Sequence, residues 1–190
     1  MANVKVCLLG DSNVGKTTIK GNFVGLDKKI DYAATIGADF TLKVHNYKSN
    51  GDQLTINYTV YDLAGQQGFK EVRSQFMLGS NAAILVYDIS DRNSFDSIVN
   101  WLTEFKKVVN QHVPLVIVGN KIDLRDKGIY GLVTTKEGEV LVSSIRNNFE
   151  NIDGKDIFFI ETSATENIKI QETFDLISKW IYDEHIKTRV

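Results

Sequence analysis

The chain is 190 residues long, carries 22 Lys and Arg against 24 Asp and Glu for a formal net charge of −2, and is 43% hydrophobic and 24% charged. That length suits one domain over residues 1–190, burying roughly 70% of its unfolded surface, and the balanced charge gives no reason to expect a nucleic-acid partner. A single cysteine, Cys7, excludes a disulfide framework and points to a reducing compartment, while the absence of any apolar run near ~18 residues excludes a transmembrane helix.

Apolar, β-rich runs alternate with helical patterns along the chain, which argues for a parallel sheet with helices on both faces. The first run spans about Asn3 to Leu9, and Cys7 within it reads as a small core residue. The start, Met1-Ala2-Asn3-Val4, has neither a signal peptide nor the glycine that myristoylation needs. Gly10-Asp11-Ser12-Asn13-Val14-Gly15-Lys16-Thr17 follows and opens into a helical pattern ending near Val24. Strand, glycine-bounded loop and helix is the context a phosphate-binding loop requires. Gly10 and Gly15 let the backbone curl so that its N–H groups point inward, and the helix adds its positive end. Lys16 can reach the terminal phosphates, and the Thr17 hydroxyl can bind the Mg²⁺ that travels with them. Asp11, Ser12, Asn13, Val14, Gly15, Lys16, Thr17 and Thr18 are therefore the expected nucleotide contacts of this segment.

Gly25 through Gly37 has no strong period and reads as a long functional loop. Its Thr35 can complete the Mg²⁺ shell when a third phosphate is present and leave when it is not, which makes the loop a switch. Two alternating runs, Ala38 to Val44 and Leu54 to Tyr61, flank the hairpin signal Ser49-Asn50-Gly51-Asp52 and predict an antiparallel pair with the second at the sheet edge. Asp62-Leu63-Ala64-Gly65-Gln66-Gln67 comes next. Asp62 at a strand end can hold Mg²⁺ through water, Gly65 offers its backbone N–H to a γ-phosphate, and Gln66 can orient the attacking water. Arg73, beyond it, reads as a surface ion-pair partner, and no arginine stands in the phosphate loop or in the loop after the first helix.

Ala82 to Tyr87, Leu115 to Val118 and Ile157 to Ile160 are short apolar runs, as expected of strands buried on both faces. Helices are predicted from about Ser94 to Asn110, Thr135 to Asn147 and Ile168 to Ile186, with Trp101 and Trp180 as packing anchors. His45, His112 and His185 are scattered and suggest neither a metal nor a catalytic base. Gly119-Asn120-Lys121-Ile122-Asp123 carries the base chemistry. The Asp123 carboxylate can accept from the N1–H and 2-amino group of guanine, whereas adenine would leave it unpaired, a discrimination of roughly 10⁴–10⁵. Asn120 can tie this loop to the phosphate loop, and the Lys121 stem can lie along the base. In Glu161-Thr162-Ser163-Ala164 the Ala164 N–H could donate to guanine O6, with Ser163 beside it.

Taken together and in this order, the five motifs resemble the Ras superfamily of small GTPases over essentially the whole chain. Ala34-Thr35-Ile36-Gly37-Ala38-Asp39-Phe40 and Leu85-Val86-Tyr87-Asp88-Ile89 look most like the Rab branch; Ran fits less well, and Arf is disfavoured by the lack of an N-terminal amphipathic helix and glycine. The resemblance implies an α/β P-loop G domain, a six-stranded, mostly parallel sheet with one antiparallel edge strand and about five helices. There are departures. Tyr61-Asp62-Leu63-Ala64 stands where Rab proteins usually read Trp-Asp-Thr-Ala, Gln67 replaces the usual Glu, and Leu26-Asp27-Lys28-Lys29 lacks the usual aromatic. Ile186-Lys187-Thr188-Arg189-Val190 holds no cysteine to prenylate, so membrane association is not supported by this chain and would need a lipidated tail.

The expected function is a GTP/GDP switch that hydrolyses GTP slowly with Mg²⁺, in vesicle or membrane traffic. The catalytic residues are Gln66, Lys16 and Gly65, and the metal ligands Thr17, Thr35 and Asp62. An activating protein would supply the missing arginine, worth roughly 10³–10⁵ in rate. Effectors, exchange factors and activating proteins are expected on switch loops 26–40 and 62–76, whose apolar candidates are Ile36, Phe40, Tyr61 and Phe69. The protein is expected to be a cytoplasmic monomer. Three alternatives stay open: a GTP-bound interaction module with negligible turnover, a Ras-type signalling GTPase, and an ATP-using kinase on the same architecture, against which Asn120-Lys121-Ile122-Asp123 speaks.

Overall fold

The computed structural model describes residues 1–25, 37–49, 51–65, 70–149 and 152–187. Six strands, β1 (Ala2–Leu9), β2 (Ala38–Ser49), β3 (Asp52–Leu63), β4 (Ala82–Asp88), β5 (Leu115–Asn120) and β6 (Ile157–Thr162), form one sheet in the order β2-β3-β1-β4-β5-β6. Only β2 runs against its neighbour; β3, β1, β4, β5 and β6 pair in parallel. β2, the first strand of the pair and not the second, lies at the edge, because β3 pairs with β1 on its other side; the hairpin register ends on Ser49 opposite Asp52, as the turn signal required. Gly51 in that turn has φ +85°, a conformation glycine adopts without a Cβ penalty.

Among the described residues the helices are α1 (Lys16–Val24), α2 (Lys70–Met77), α3 (Arg92–Asp96), α4 (Ile98–Val108), α5 (Thr135–Asn148) and α6 (Ile170–Lys187), six in keeping with the expected about five. Part of the expected switch loop 62–76 is helical: α2 starts at Lys70 and turns Arg73 and Met77, one turn apart, inward. The helix expected from Ser94 to Asn110 starts two residues earlier and divides at Ser97, whose ψ of −15° is that of a turn. Helical bonds still cross the break, from the Ser97 N–H to Asn93 O at 2.9 Å and from the Trp101 N–H to Ser97 O at 3.0 Å. Asp91 caps α3 by accepting from the Asn93 N–H at 3.1 Å, and α5 begins with a reciprocal cap between Thr134 and Glu137.

Two apolar cores, one on each face of the sheet, follow from the alternation of side chains along the strands. In β1, Val4, Val6 and Leu8 pack with Ile19 and Phe23 of α1 and Phe174 and Ile177 of α6. Cys7 and Leu9 point the other way, toward Trp101, Leu102 and Phe105 of α4 and Val142 and Ile145 of α5. Cys7 is fully buried, and burial pushes its thiol up to about 11, so it is the small core residue the sequence suggested. Because β1, β3, β5 and β6 run parallel, the segments following them emerge at one edge of the sheet.

Candidate functional site

The loop after β1 is shaped by two glycines. A Cβ on Gly10, at φ +140°, would meet Val86 O of β4 at 2.1 Å, and one on Gly15, at φ +103°, would meet Nδ2 of Asn120 at 2.2 Å. No side chain larger than hydrogen fits at either place. Asn13 between them also has positive φ, +64°, and Gly15, the N-cap of α1, has no side chain to cap its first turn. Its first N–H groups are thus left for an anion, in the geometry of a phosphate cradle.

Lys16 lies over this loop, 6% exposed, and donates from Nζ to Gly10 O at 2.8 Å and Asp11 O at 2.6 Å. Burial lowers its ammonium to about 8, against the pull of the Asp62 and Asp11 carboxylates. Thr17 Oγ1 donates to Asp62 Oδ2 at the end of β3, across 45 residues. A hydroxyl facing a carboxylate beside a phosphate loop is a hard-oxygen donor pair of the kind Mg²⁺ takes, and the described residues hold no His, Cys, Asp or Glu cluster of another metal type. These residues therefore fit the ion. Gly65, three residues on, packs so closely that an added Cβ would lie 2.5 Å from Asp11 C and Ser12 N. Its backbone thus reaches the loop, as its expected role demands. Thr35 and Gln66, expected on the metal and on water, lie outside the described residues, as do Ile36 and Phe69.

At the other end of the site Asn120 is 1% exposed and joined to two other chain segments. Its Nδ2 donates to Val14 O at 2.8 Å, while its Oδ1 accepts from Thr162 Oγ1 and from the Ala164 N–H, each at 3.0 Å. The expected tie between the base loop and the phosphate loop is present. The Ala164 N–H, expected to face guanine O6, donates here to Asn120, so a base would have to share that donor.

Asp123 accepts from Ser163 Oγ at 2.6 Å through Oδ1, and Lys127 Nζ stands 3.3 Å from its Oδ2. Burial raises its carboxyl, but the bonds from Ser163 and Lys127 outweigh that and hold it below the usual range, keeping it an acceptor. Lys121, with a left-handed φ of +71°, sends Nζ to Asp88 Oδ2 at 2.5 Å and so stretches its stem across the loop.

The structure corrects one reading and adds to another. Arg73 is not at the surface: it is 3% exposed, pairs Nε and Nη2 with the Glu104 carboxylate at 3.2 and 3.3 Å, and donates to Ala64 O at 3.1 Å. A buried guanidinium is stable when its fork is occupied in this way. Trp101 packs in the core as expected, but its Nε1–H also donates to Asp11 Oδ1 at 2.7 Å. Nothing in a sequence marks a contact 90 residues long.

On β2, Phe40 is 59% exposed and stacks on Tyr61, with centroids 5.5 Å apart; Tyr61 in turn lies 6.1 Å from Phe76 of α2. This apolar strip sits beside the Thr17–Asp62 end of the site, and Leu42 and Val44 extend it along β2.

Residues 5–183 match the family model described as Ras family. The chain is similar to the Ras-related protein Rab7 of Pisum sativum, 36% identical over 93% of this chain and 81% of that protein. It is similar also to the Ras-related protein Rab11C of Nicotiana tabacum, 35% identical over 90% of this chain and 69% of the other. The GTP-binding protein ypt1 of Schizosaccharomyces pombe is 32% identical over 93% of this chain and 79% of its own length.

Proposed function

The chain belongs to the Ras family of small GTPases and hydrolyses GTP, and from that premise we propose that residues 1–190 form one GTP-binding domain working as a GTP/GDP switch in vesicle or membrane traffic. The observation that carries this is the convergence of four loops on one edge of the sheet, sealed by the Asn120 bond to Val14 O and the Thr17 bond to Asp62. Traffic is the role implied by the Rab-like residues 34–40 and 85–89. Phe40, Tyr61 and Phe76 offer effectors and regulators an apolar surface, the kind the switch loops 26–40 and 62–76 would order or withdraw. The protein is read as a cytoplasmic monomer.

In this mechanism Thr17, Asp62 and Thr35 would hold Mg²⁺, which when bound would neutralise charge on the phosphoryl oxygens. Lys16 turns its ammonium from the Gly10 and Asp11 carbonyls toward the β- and γ-phosphates, and the loop amides and the Gly65 N–H complete the cradle. Gln66 aligns the attacking water. Asp123 reads N1–H and the 2-amino group of guanine, Lys121 lies along the base, and Ser163 and Ala164 frame its edge. Arg73 is committed to Glu104 and Ala64 O, so an activating protein supplies the arginine that speeds the reaction.

The deciding experiment identifies the nucleotide released from purified protein with and without Mg²⁺ chelation, then competes GTP against ATP. Guanine nucleotide held more tightly with Mg²⁺, and lost in Lys16→Ala and Asp123→Ala, supports the reading. A preference for ATP defeats it. Gln66→Leu should slow phosphate release at unchanged GTP affinity; equal rates would remove Gln66 from its role.

A further inference from the structure

Asp11 is held at two points. Its backbone oxygen accepts from Lys16 Nζ at 2.6 Å, and its side-chain Oδ1 accepts from the Trp101 indole N–H at 2.7 Å. The orientation of one peptide that seats the phosphate-binding lysine is therefore tied to an indole on α4. That indole is itself gripped on its face: the Arg73 guanidinium of α2 stacks over the ring at 4.5 Å. Glu104, one turn along α4 from Trp101, fixes the guanidinium through Nε and Nη2, and Nη1 reaches Ala64 O, next to Gly65. Gly65 packs against the Asp11 and Ser12 backbone, so the contacts close into a ring: phosphate loop, α4, α2, the segment after β3, and the phosphate loop again.

We propose that Trp101 and Glu104 are positioning residues for the nucleotide site, forming with Arg73 a buried relay that couples the seat of α2 to the Asp11–Lys16 end of the phosphate loop. The idea rests on the reading that this loop holds a guanine nucleotide. A movement of α2 that withdraws Arg73 unloads one face of the indole, loosens its N–H bond to Asp11, and weakens the grip on the phosphates. By linkage, a phosphate that fixes Asp11 and Lys16 favours the seated position of α2.

The test measures release of fluorescent GDP from the full chain. Trp101→Phe keeps a ring under Arg73 and removes the N–H donor, while Asp11→Ala removes the acceptor from the other side. Each is expected to speed GDP release about tenfold, the loss of one charge-assisted hydrogen bond. The double variant should release no faster than either single one, and Asp11→Asn, which keeps an acceptor oxygen but not its charge, should release GDP at a rate between those of Asp11→Ala and the wild type. Additive effects, or release from Trp101→Phe at the wild-type rate, overturn the proposal. In a Trp180→Phe background Trp101 is the only indole left, and its emission should differ between the GDP form and a non-hydrolysable GTP analogue form; identical spectra overturn the coupling to α2. Wild-type protein that retains no GDP overturns the nucleotide reading itself. Wild-type protein that retains it, with variants that release it at the wild-type rate, overturns the relay alone.

Discussion

The Asn120 side chain donates to the Val14 carbonyl at 2.8 Å, across 106 residues, and so pins the loop expected to select the base to the loop expected to bind the phosphates. The same amide oxygen accepts from Thr162 and from the Ala164 N–H. One side chain thus serves three buried partners, and no residue other than asparagine offers a donor and an acceptor at this length.

Asn120→Ala should therefore leave the Val14 carbonyl, the Thr162 hydroxyl and the Ala164 N–H short of a partner. At roughly 1–3 kcal/mol for a buried group left unsatisfied, and allowing for relaxation, the expected loss is about 3 kcal/mol. Urea unfolding of the nucleotide-free protein reads this directly, and GDP titration should show a parallel fall in affinity. Stability within about 0.5 kcal/mol of wild type would mean that the joint is not a stability element.

Gly65→Ala places a methyl where the Asp11 and Ser12 backbone stands 2.5 Å away, and backbone cannot rotate aside as a long side chain can. Overpacking of this kind costs about 1–3 kcal/mol, and here the strain falls on the phosphate loop, so thermal stability and GDP affinity should drop together. Gly154→Ala is the matched control, because its nearest contact is the Arg146 side chain at 3.7 Å. Equal behaviour of the two variants would count against the close approach.

Lys16 gives a pH dependence with a definite sign. Burial lowers its ammonium to about 8, so between that value and the ordinary 10.5 the unfolded chain binds a proton that the folded chain has released. In that window the nucleotide-free protein should gain stability as pH rises. Phosphate favours the charged lysine, so GDP binding should take up protons and weaken by about tenfold between roughly pH 7.5 and 9.5. Calorimetry in buffers of different ionisation enthalpy measures the uptake; Lys16→Met should abolish it. A pH-independent affinity would contradict the lowered ammonium.

Tyr87 is fully buried in β4, and its hydroxyl meets no hydrogen-bond partner among the described residues. Burial raises that hydroxyl above the ordinary tyrosine range, so it stays protonated. Tyr87→Phe keeps the ring contact with Phe95, whose centroid is 5.0 Å away, and should leave stability unchanged or raise it by up to about 1 kcal/mol. A clear loss in chemical denaturation would show that the hydroxyl carries a bond.

Much of this architecture is legible in the sequence. The continuous apolar runs of β4 and β5 marked buried strands because a strand covered on both faces has no side to give to polar residues, whereas β6, expected to be buried in the same way, lies at the other edge of the sheet with Phe158 to Glu161 only half-buried. The alternation of β2 and β3 marked a pair with one face more open, and Asn50-Gly51 marked their turn. The loops were readable as well, since the chemistry of a phosphate cradle or a guanine-reading carboxylate lies within a few consecutive residues. Helix boundaries were less so: α3 and α4 divide at Ser97, where no proline or glycine announces a break, and α2 lies in a stretch read as loop.

What a chain determines by itself is what neighbouring residues decide together: the period of its strands and helices, the curl that Gly10 and Gly15 permit, and the donors and acceptors each loop carries. What only the tertiary structure decided is which loops touch. Thr17 meets Asp62, Val14 meets Asn120, and Asp11 meets Trp101 because the order β3-β1-β4-β5 sets those strand ends and helices side by side. Arg73 is buried for the same reason, since only packing of α2 against α4 supplies Glu104 and Trp101 to satisfy its charge. Local periodicity records the face a side chain takes; it holds no record of the partner, 45 to 106 residues away, that folding brings to that face.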